Sequence, residues 1–317
     1  MSTPTPTLRI GTRASRLAQT QAGLVADDLS AAGAEVEIVI VATEGDRTQA
    51  SGVPIAGSGV GVFVGALREA LRDGRIDVAV HSYKDLPTAP APGIVLAAVP
   101  GREDPRDVLV ARDRMVLGEL PPGSTVGTGS PRRAAQIAAL GLGLEVVGIR
   151  GNVDTRIAKV TRGEVDAVVL ARAGLARLGR LGEATEVLDP LQMLPAPGQG
   201  ALACECRVAD VDTERLLRET LHDETAAAAV EAERAVLAAL EAGCDGVVGA
   251  LADIVSDLED DGRAVERLSL RAVAATVEGA LVRASATGET KDADRLGRGL
   301  AAELMADGAV PGAPSTP

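Results

Sequence analysis

Aromatic side chains are almost absent from this chain of 317 residues, which has no tryptophan, one phenylalanine (Phe63) and one tyrosine (Tyr83). Proteins that bind single-stranded nucleic acid stack its bases on aromatic rings, and this sequence offers no set of rings for that purpose. The formal net charge of −13 also repels polyanions. We therefore expect no nucleic-acid partner, and any anionic ligand requires a local basic site.

Long apolar runs and cysteine frameworks are lacking as well. No stretch approaches the roughly 18 consecutive apolar residues of a membrane-spanning helix, and the chain begins with a polar, proline-rich stretch. Three cysteines and two histidines supply neither a disulfide framework nor the ligands of a zinc site. We predict a soluble cytoplasmic protein with no metal and no membrane partner.

The length of the chain and its apolar fraction of 46% predict two or three domains with separate cores. Alternating strands and helices favour α/β architecture. The first set of elements has strands predicted at residues 8–11, 35–42 and 76–80, and helices at residues 15–31 and 62–72. The second set has strands predicted near Val108, Val126, Val146 and Ala167, and a helix that begins at Pro131.

The same turn sequence occurs in both sets. Gly74-Arg-Ile-Asp77 and Gly163-Glu-Val-Asp166 each join the end of a helix to an apolar strand, and glycine suits the left-handed residue that ends a helix. This repetition predicts two similarly built α/β lobes. A third, smaller domain is expected to start near a helix at residues 224–241, and residues 311–317 are expected to form a disordered tail.

Three strand-to-helix junctions carry arginine: Gly11-Thr-Arg13-Ala-Ser15, Gly129-Ser130-Pro131-Arg132-Arg133 and Arg150-Gly-Asn-Val-Asp-Thr-Arg156. A cation in the first turn of a helix is unfavourable by about 0.3 to 1 kcal/mol unless an anion binds there. Ser130 as N-cap and Pro131 as the first helical residue would place the two following arginines in that turn. Scatter of arginine explains one such junction easily and three less well, so the pattern favours a site for a ligand with many carboxylates or phosphates.

Lys84 and Asp85 follow the predicted strand at residues 76–80. The carboxyl ends of strands border the ligand crevice in an open α/β sheet. Adjacent opposite charges there can bind an anion and stabilise a developing cation. A solvated ion pair in a turn is the alternative interpretation.

A glycine-rich segment and a lone cysteine are two further candidates for a functional role. Gly57-Ser-Gly59-Val-Gly61 lacks both the Gly-Lys-Ser/Thr ending of a P-loop and the spacing of a dinucleotide site, so we interpret it as a mobile flap. Cys244 lies in a glycine-flanked loop after the helix at residues 224–241. A lone cysteine is more often a small buried hydrophobe than a nucleophile, but its thiol can also carry a covalently attached group.

Several ordered motifs resemble the porphobilinogen deaminase (hydroxymethylbilane synthase) family over nearly the full length. These motifs are Gly11-Thr-Arg-Ala-Ser15, His81-Ser-Tyr-Lys-Asp85, Arg102-Glu-Asp-Pro-Arg-Asp107, Val126-Gly-Thr-Gly-Ser-Pro-Arg-Arg133, Arg150-Gly-Asn152, Leu194-Pro-Ala-Pro-Gly-Gln-Gly200 and Glu241-Ala-Gly-Cys244. The chain departs from the family where many relatives carry lysines in the glycine loop, and where Asp245-Gly-Val-Val-Gly249 replaces the usual proline-containing turn.

The resemblance implies an α/β protein of three domains. Two doubly wound α/β lobes would be built like those of periplasmic binding proteins with a cleft between them, and a small α+β C-terminal domain would contain an antiparallel sheet. Domain 1 would comprise residues 1–100 and 201–218, domain 2 residues 101–200, and domain 3 residues 219–317. A monomer is expected.

The resemblance also implies a dipyrromethane cofactor, held by a thioether to Cys244, on which four porphobilinogen molecules are joined head to tail before hydroxymethylbilane is released. Asp85 is the expected catalytic carboxylate, which stabilises the cation left when ammonia departs. The expected cofactor-binding residues are Cys244, Lys84, Asp85, Ser130, Arg132, Arg133 and Arg150. The expected substrate-binding residues are Arg13, Ser15, Arg150, Arg156 and Phe63, and a plain core position suits Phe63 equally well.

Two other functions stay open at this point. A non-catalytic anion-binding protein could share the two-lobed architecture, because fold does not fix function. A degenerate paralogue could keep the binding site and lack turnover. Consumption of porphobilinogen distinguishes the synthase from both.

Overall fold

The structure is a computed structural model that describes residues 7–41, 59–242, 246–258 and 263–311, with the backbone alone described for residues 59–63. The chain divides into two compact units, Met1–Glu103 with Ala201–Ala227, and Asp104–Gly200 with Ala228–Pro317. Within the described residues, no helix combines the length and apolar composition needed to cross a bilayer.

The first unit is an α/β lobe around a five-stranded sheet. Its strands are β1 (Leu8–Thr12), β2 (Val36–Ile40), β3 (Val78–Ser82), β4 (Ile94–Ala98) and β10 (Leu202–Arg207), in the order β2-β1-β3-β10-β4. The strand β1 is parallel to β2 and β3, whereas β10 runs antiparallel to β3 and β4. The helices α1 (Arg16–Ala31), α2 (Gly59–Arg72) and α6 (Val211–Leu221) accompany this sheet.

Both faces of this sheet are covered. Val78 and Val80 pack with α1 and α6, while the intervening Ala79 packs with α2 on the other face. Neighbouring residues of a strand point to opposite faces. This explains why β3 reads as a continuous apolar run rather than an alternating one.

The second unit repeats this arrangement of parallel and antiparallel strands. Its first sheet contains β5 (Asp107–Ala111), β6 (Thr125–Thr128), β7 (Glu145–Gly148), β8 (Ala167–Ala171) and β9 (Glu186–Val187), in the order β7-β6-β8-β5-β9. The strand β6 is parallel to β7 and β8, and β5 is antiparallel to β8 and β9. The helices α3 (Pro131–Ala139), α4 (Val153–Thr161) and α5 (Arg172–Arg177) belong to this lobe.

The repeated glycine turns make the same contacts in the two lobes. Gly74 and Gly163 both adopt positive φ, at 67° and 69°. Three residues later, Asp77 accepts the backbone N–H of Arg9 at 3.1 Å, and Asp166 accepts the backbone N–H of Thr125 at 2.7 Å. The prediction of two similarly built lobes is confirmed.

The remainder of the second unit is a three-stranded antiparallel sheet with two helices. The strands are β11 (Val248–Leu258), β12 (Ala264–Ala275) and β13 (Leu281–Gly288). The helices are α7 (Glu224–Ala239), whose first four residues are counted with the first unit, and α8 (Ala293–Ala306). A Cβ atom at Gly297 of α8 would lie 2.2 Å from the carbonyl oxygen of Ala232. Glycine therefore permits the close approach of α8 to α7. The predicted fold class is confirmed, whereas the three-domain division stays a prediction.

Two predicted elements are wrong in detail. The strand placed at residues 76–80 occupies Val78–Ser82 instead, because Ser82 pairs with Leu202 of β10, far away in the sequence. The glycine segment interpreted as a mobile flap is helical from Gly59 onward, and Gly57 lies outside the described residues. The predicted tail lies outside them as well, except for Pro311.

Candidate active site

The first lobe brings two of the predicted motifs to one edge of its sheet. The strands β1 and β3 are parallel neighbours, so both carboxyl ends lie at this edge. Arg13 follows β1 directly, and Lys84 and Asp85 lie in the short 3₁₀ turn Tyr83–Asp85 that follows β3. The side chain of Ser15 caps α1 by accepting the backbone N–H of Ala18 at 3.3 Å.

A pocket of about 120 Å³ opens at this edge. It is lined by Arg13, Ala18, Gln21, Val64, Leu67, Val80, His81, Ser82 and Asp85. The amide nitrogen of Gln21 donates to the hydroxyl oxygen of Ser82 at 3.0 Å, so helix α1 is tied to the end of β3 across the pocket wall. The pocket combines an arginine, a carboxylate and an apolar floor.

A buried ion cluster supports one wall of this pocket. Glu205 of β10 is 3% exposed and accepts hydrogen bonds from Arg68 at 3.0 and 2.7 Å. The Nε2 atom of the pocket residue His81 lies 3.2 Å from the same carboxylate. Burial alone would raise the pKa of Glu205, but its contacts with His81 and Arg68 outweigh burial and lower the pKa to about 2. The carboxylate therefore stays ionised at neutral pH.

The second lobe gathers its arginines at the corresponding edge, but in a different way from the sequence-based expectation. Arg132 and Arg133 lie in the first turn of α3, yet both side chains are buried, and both donate to Asp107 at 3.0 and 2.7 Å. Arg132 also donates to the carbonyl of Leu194, and Arg133 to the carbonyl of Val169. The two guanidinium groups are thus anchored inside the lobe by one carboxylate.

The helix starts at this edge differ in how they are capped. Ser130 occupies the N-cap position of α3 and Pro131 the first helical position, as predicted, but the Ser130 side chain makes no capping hydrogen bond. Asn152 caps α4 by accepting the backbone N–H of Thr155 at 2.8 Å.

Arg150 and Arg156 extend the basic group at this edge. Arg150 follows β7 by two residues, and Arg156 is the fourth residue of α4. Burial, then the neighbouring charges of Arg133 and Arg150, lower the pKa of Arg156 to about 10. Among the residues that the structure describes, no acidic side chain forms an ion pair with Arg150 or Arg156.

This excess of positive charge fits a ligand rich in carboxylates. A cluster of like charges is unfavourable until an anion neutralises it, and guanidinium groups match the geometry of a carboxylate. The Nε of Arg133 is buried and has no acceptor within the described part of the chain. The dipyrromethane that the resemblance implies, with its acetate and propionate groups, would supply acceptors of the required kind.

Some predicted residues cannot be placed. Cys244 lies outside the described residues, and so does the side chain of Phe63. Within the described ranges, no three His, Cys, Asp or Glu side chains come together as a metal site.

Three residues with clear roles in the structure were not predicted from the sequence: Asp107, Gln21 and Glu205. Asp107 was visible as the last residue of the Arg102–Asp107 motif, directly before the apolar run of β5. A charged residue next to a buried strand, in a chain with several arginine-bearing junctions, is the signal that points to a buried ion pair.

Two family models match the chain consecutively. Residues 8–215 match the model described as "Porphobilinogen deaminase, dipyromethane cofactor binding domain". Residues 227–306 match "Porphobilinogen deaminase, C-terminal domain". The chain belongs to the porphobilinogen deaminase family. The first of these matches also makes dipyrromethane the cofactor of this family domain.

Curated relatives extend the match over both units. The chain is 60% identical to a porphobilinogen deaminase of Nocardia farcinica, over 97% of this chain and 88% of the relative. It is 58% identical to one of Mycolicibacterium gilvum, over 95% and 96%. Among solved structures, the methionine-binding protein MetQ is similar with a TM-score of 0.42 at 13% identity, covering 68% of this chain and 89% of that protein.

Proposed function

We propose that this chain is a hydroxymethylbilane synthase, a transferase of tetrapyrrole and haem biosynthesis. It would convert four porphobilinogen molecules and one water into hydroxymethylbilane and four molecules of ammonia. Its membership of the porphobilinogen deaminase family supports this activity. The observation that carries the proposal is the group of Arg133, Arg150 and Arg156. Burial, and then the charges of its two neighbours, lower the pKa of Arg156, and this group of cations calls for a ligand with several carboxylates.

The cofactor-binding role is proposed for residues of both lobes. Lys84 and Asp85 in the first lobe, and Ser130, Arg132, Arg133 and Arg150 in the second, offer cationic and hydroxyl donors and one carboxylate. Cys244 is the proposed attachment point through a thioether. When bound, the dipyrromethane supplies the nucleophilic pyrrole carbon to which substrate is added.

Asp85 is the proposed catalytic residue. Its carboxylate lines a pocket with an apolar floor, where charge interactions are stronger than in water. Porphobilinogen loses ammonia to leave a delocalised cation, which a nearby carboxylate stabilises. The same carboxylate can accept a proton from the substrate N–H groups.

The substrate carboxylates are assigned to arginines at both sheet edges. Arg13 shares the pocket with Asp85, and Ser15 follows on the same loop. Arg150 and Arg156 are the proposed docking residues of the second lobe. Phe63 is proposed to pack on a pyrrole ring. We further propose that the protein is cytoplasmic and monomeric, with the three domains given above and with no nucleic-acid or membrane partner.

Turnover distinguishes this proposal from a non-catalytic anion-binding protein. Purified protein incubated with porphobilinogen should consume it and release one ammonia for each molecule consumed, and hydroxymethylbilane should accumulate at a quarter of that amount. Binding of porphobilinogen without release of ammonia would instead identify a binding protein or a degenerate paralogue.

A further inference from the structure

Asp107 is the central acceptor at the basic edge of the second lobe. Its oxygens accept hydrogen bonds from Arg132 Nη2 at 3.0 Å, Arg133 Nη2 at 2.7 Å and Gln199 Nε2 at 2.7 Å. The side chain is fully buried at 0% exposure. Burial alone would raise the pKa of Asp107, but the charges of Arg133 and Arg132 outweigh it and hold the pKa well below the usual range.

The position of Asp107 in the fold explains how it reaches this edge. It is the first residue of β5, which runs antiparallel to β8 and pairs Asp107 with Ala171 at the carboxyl end of β8. The carboxylate therefore lies at the same edge of the sheet as the start of α3. Fold stability alone does not require such a group, because a buried ion pair is often no more stabilising than apolar residues of similar volume.

The hydrogen bonds of Arg133 fix the direction of its guanidinium plane. Its Nη2 donates to Asp107 and its Nη1 donates to the carbonyl of Val169 at 3.0 Å. With both ends held, the plane cannot rotate, and the buried Nε has no acceptor within the described residues. A fixed, buried donor that has no acceptor is what a ligand carboxylate can use.

Arg133 is held there against repulsion from two other cations. Burial lowers the pKa of Arg156, and the charges of Arg133 and Arg150 lower it further, so these cations repel one another. Without a counter-charge, Arg133 would be driven away from this cluster toward solvent. Asp107 is the one carboxylate within hydrogen-bonding distance of Arg133 among the described residues.

We propose that Asp107 is a positioning residue for the carboxylate-binding site of the second lobe. It holds Arg133 in one orientation beside Arg150 and Arg156, and thereby keeps the Nε–H donor available to a carboxylate of the bound dipyrromethane. This inference rests on the proposed function. Asp107 acts through Arg133 and does not itself touch the ligand.

The test uses Asp107→Asn, which keeps the size of the side chain but removes its charge. Asp107→Glu keeps the charge but displaces the carboxylate, and Asp166→Asn is the matched control. Asp166 accepts from Thr125 and pairs with Arg112 in the same lobe, but it lies at the opposite edge of the sheet. Each full-length protein is purified by size-exclusion chromatography, and the fraction that elutes as folded protein is collected. The intact mass of this fraction, before and after addition of porphobilinogen, gives the share of protein that carries the dipyrromethane.

We expect the dipyrromethane-loaded share of folded Asp107→Asn protein to fall by about tenfold or more, by analogy with residues that orient metal-binding side chains. Asp107→Glu should show a smaller loss, and Asp166→Asn should load like the wild type. A second measurement is the difference in Tm between the loaded and the unloaded protein. This difference should be smaller in Asp107→Asn than in the wild type. A purely structural Asp107 would lower the Tm of loaded and unloaded protein equally and leave the loaded share unchanged.

Wild-type loading of folded Asp107→Asn would overturn the inference. If Asp107→Asn is not recovered folded, Asp107→Glu decides in the same way: reduced loading supports the positioning role, and wild-type loading contradicts it. A wild-type protein that never gains the dipyrromethane mass would refute the proposed function instead, so the two failures are distinguishable.

Discussion

Arg68 holds the carboxylate of Glu205 with two hydrogen bonds, one from Nε at 3.0 Å and one from Nη2 at 2.7 Å. This pair joins α2 to the antiparallel strand β10. Because both side chains are largely buried, and because Glu205 also lies beside His81 in the pocket wall, the pair links the stability of the lobe to the shape of its pocket.

The first prediction concerns the pH dependence of this link. The pKa of Glu205 is lowered from 4.5 to about 2 in the folded protein, so its carboxylate stabilises the fold at pH values above the unfolded pKa. That contribution, on the order of 3 kcal/mol, is lost as the pH falls toward 2. We expect Glu205→Gln to unfold at lower urea concentration than the wild type at pH 7, and the difference should narrow by about half between pH 5 and pH 3. A difference that stays constant over this range would contradict the assignment.

The second prediction concerns the contact between α7 and α8. Gly297→Ala would place Cβ against the carbonyl of Ala232, so we expect the free energy of unfolding to fall by about 1 to 3 kcal/mol. Gly299→Ala, on the same helix with nothing within 4 Å of the added atom, should be neutral or stabilising by up to about 1 kcal/mol. Equal effects of the two variants in urea denaturation would show that close helix packing is not the cause.

The third prediction concerns Asp85. Asp85→Asn should fold normally, and kcat should fall by about two to three orders of magnitude because a charge-stabilising group is lost. Asp73→Asn, which changes an exposed ion pair with Arg75, is the control and should keep wild-type kcat. Near wild-type turnover by Asp85→Asn would remove this carboxylate from the mechanism.

The fourth prediction concerns chain elongation. Arg150→Ala should stall the addition of substrate, because this guanidinium is a proposed docking point for incoming carboxylates. Mass spectrometry of protein mixed with limiting porphobilinogen should then show a changed distribution of species carrying one, two and three added substrates. Arg162→Ala, which alters an exposed pair with Glu164 at the end of α4, should leave the distribution unchanged, and an unchanged distribution for Arg150→Ala would rule out its docking role.

Local sequence signals predicted much of the fold correctly. Ser15 and Pro131 mark helix starts because capping and fixed φ act within a few residues. The glycines at positions 74 and 163 mark helix ends for a similar reason, since both need positive φ. These signals depend on neighbours in the chain, and they predicted the order of elements in both lobes.

Long-range pairing could not be predicted in the same way. The sequence placed Arg132 and Arg133 in a first turn but did not indicate that their side chains turn inward to Asp107, 25 and 26 residues away. The end of β3 was missed for the same reason, because Ser82 joins the strand only through its pairing with β10. The residue types were therefore enough to predict an anion-binding site at the basic edge of the second lobe. The fold was needed to identify Asp107 as the carboxylate that pairs with its arginines.

The most direct test of the proposed function is the intact mass of the purified wild-type protein beside that of Cys244→Ala. We predict that the wild type exceeds its sequence mass by one dipyrromethane and that the variant does not. A wild-type protein that carries no added mass, and gains none after incubation with porphobilinogen, would contradict the proposed function.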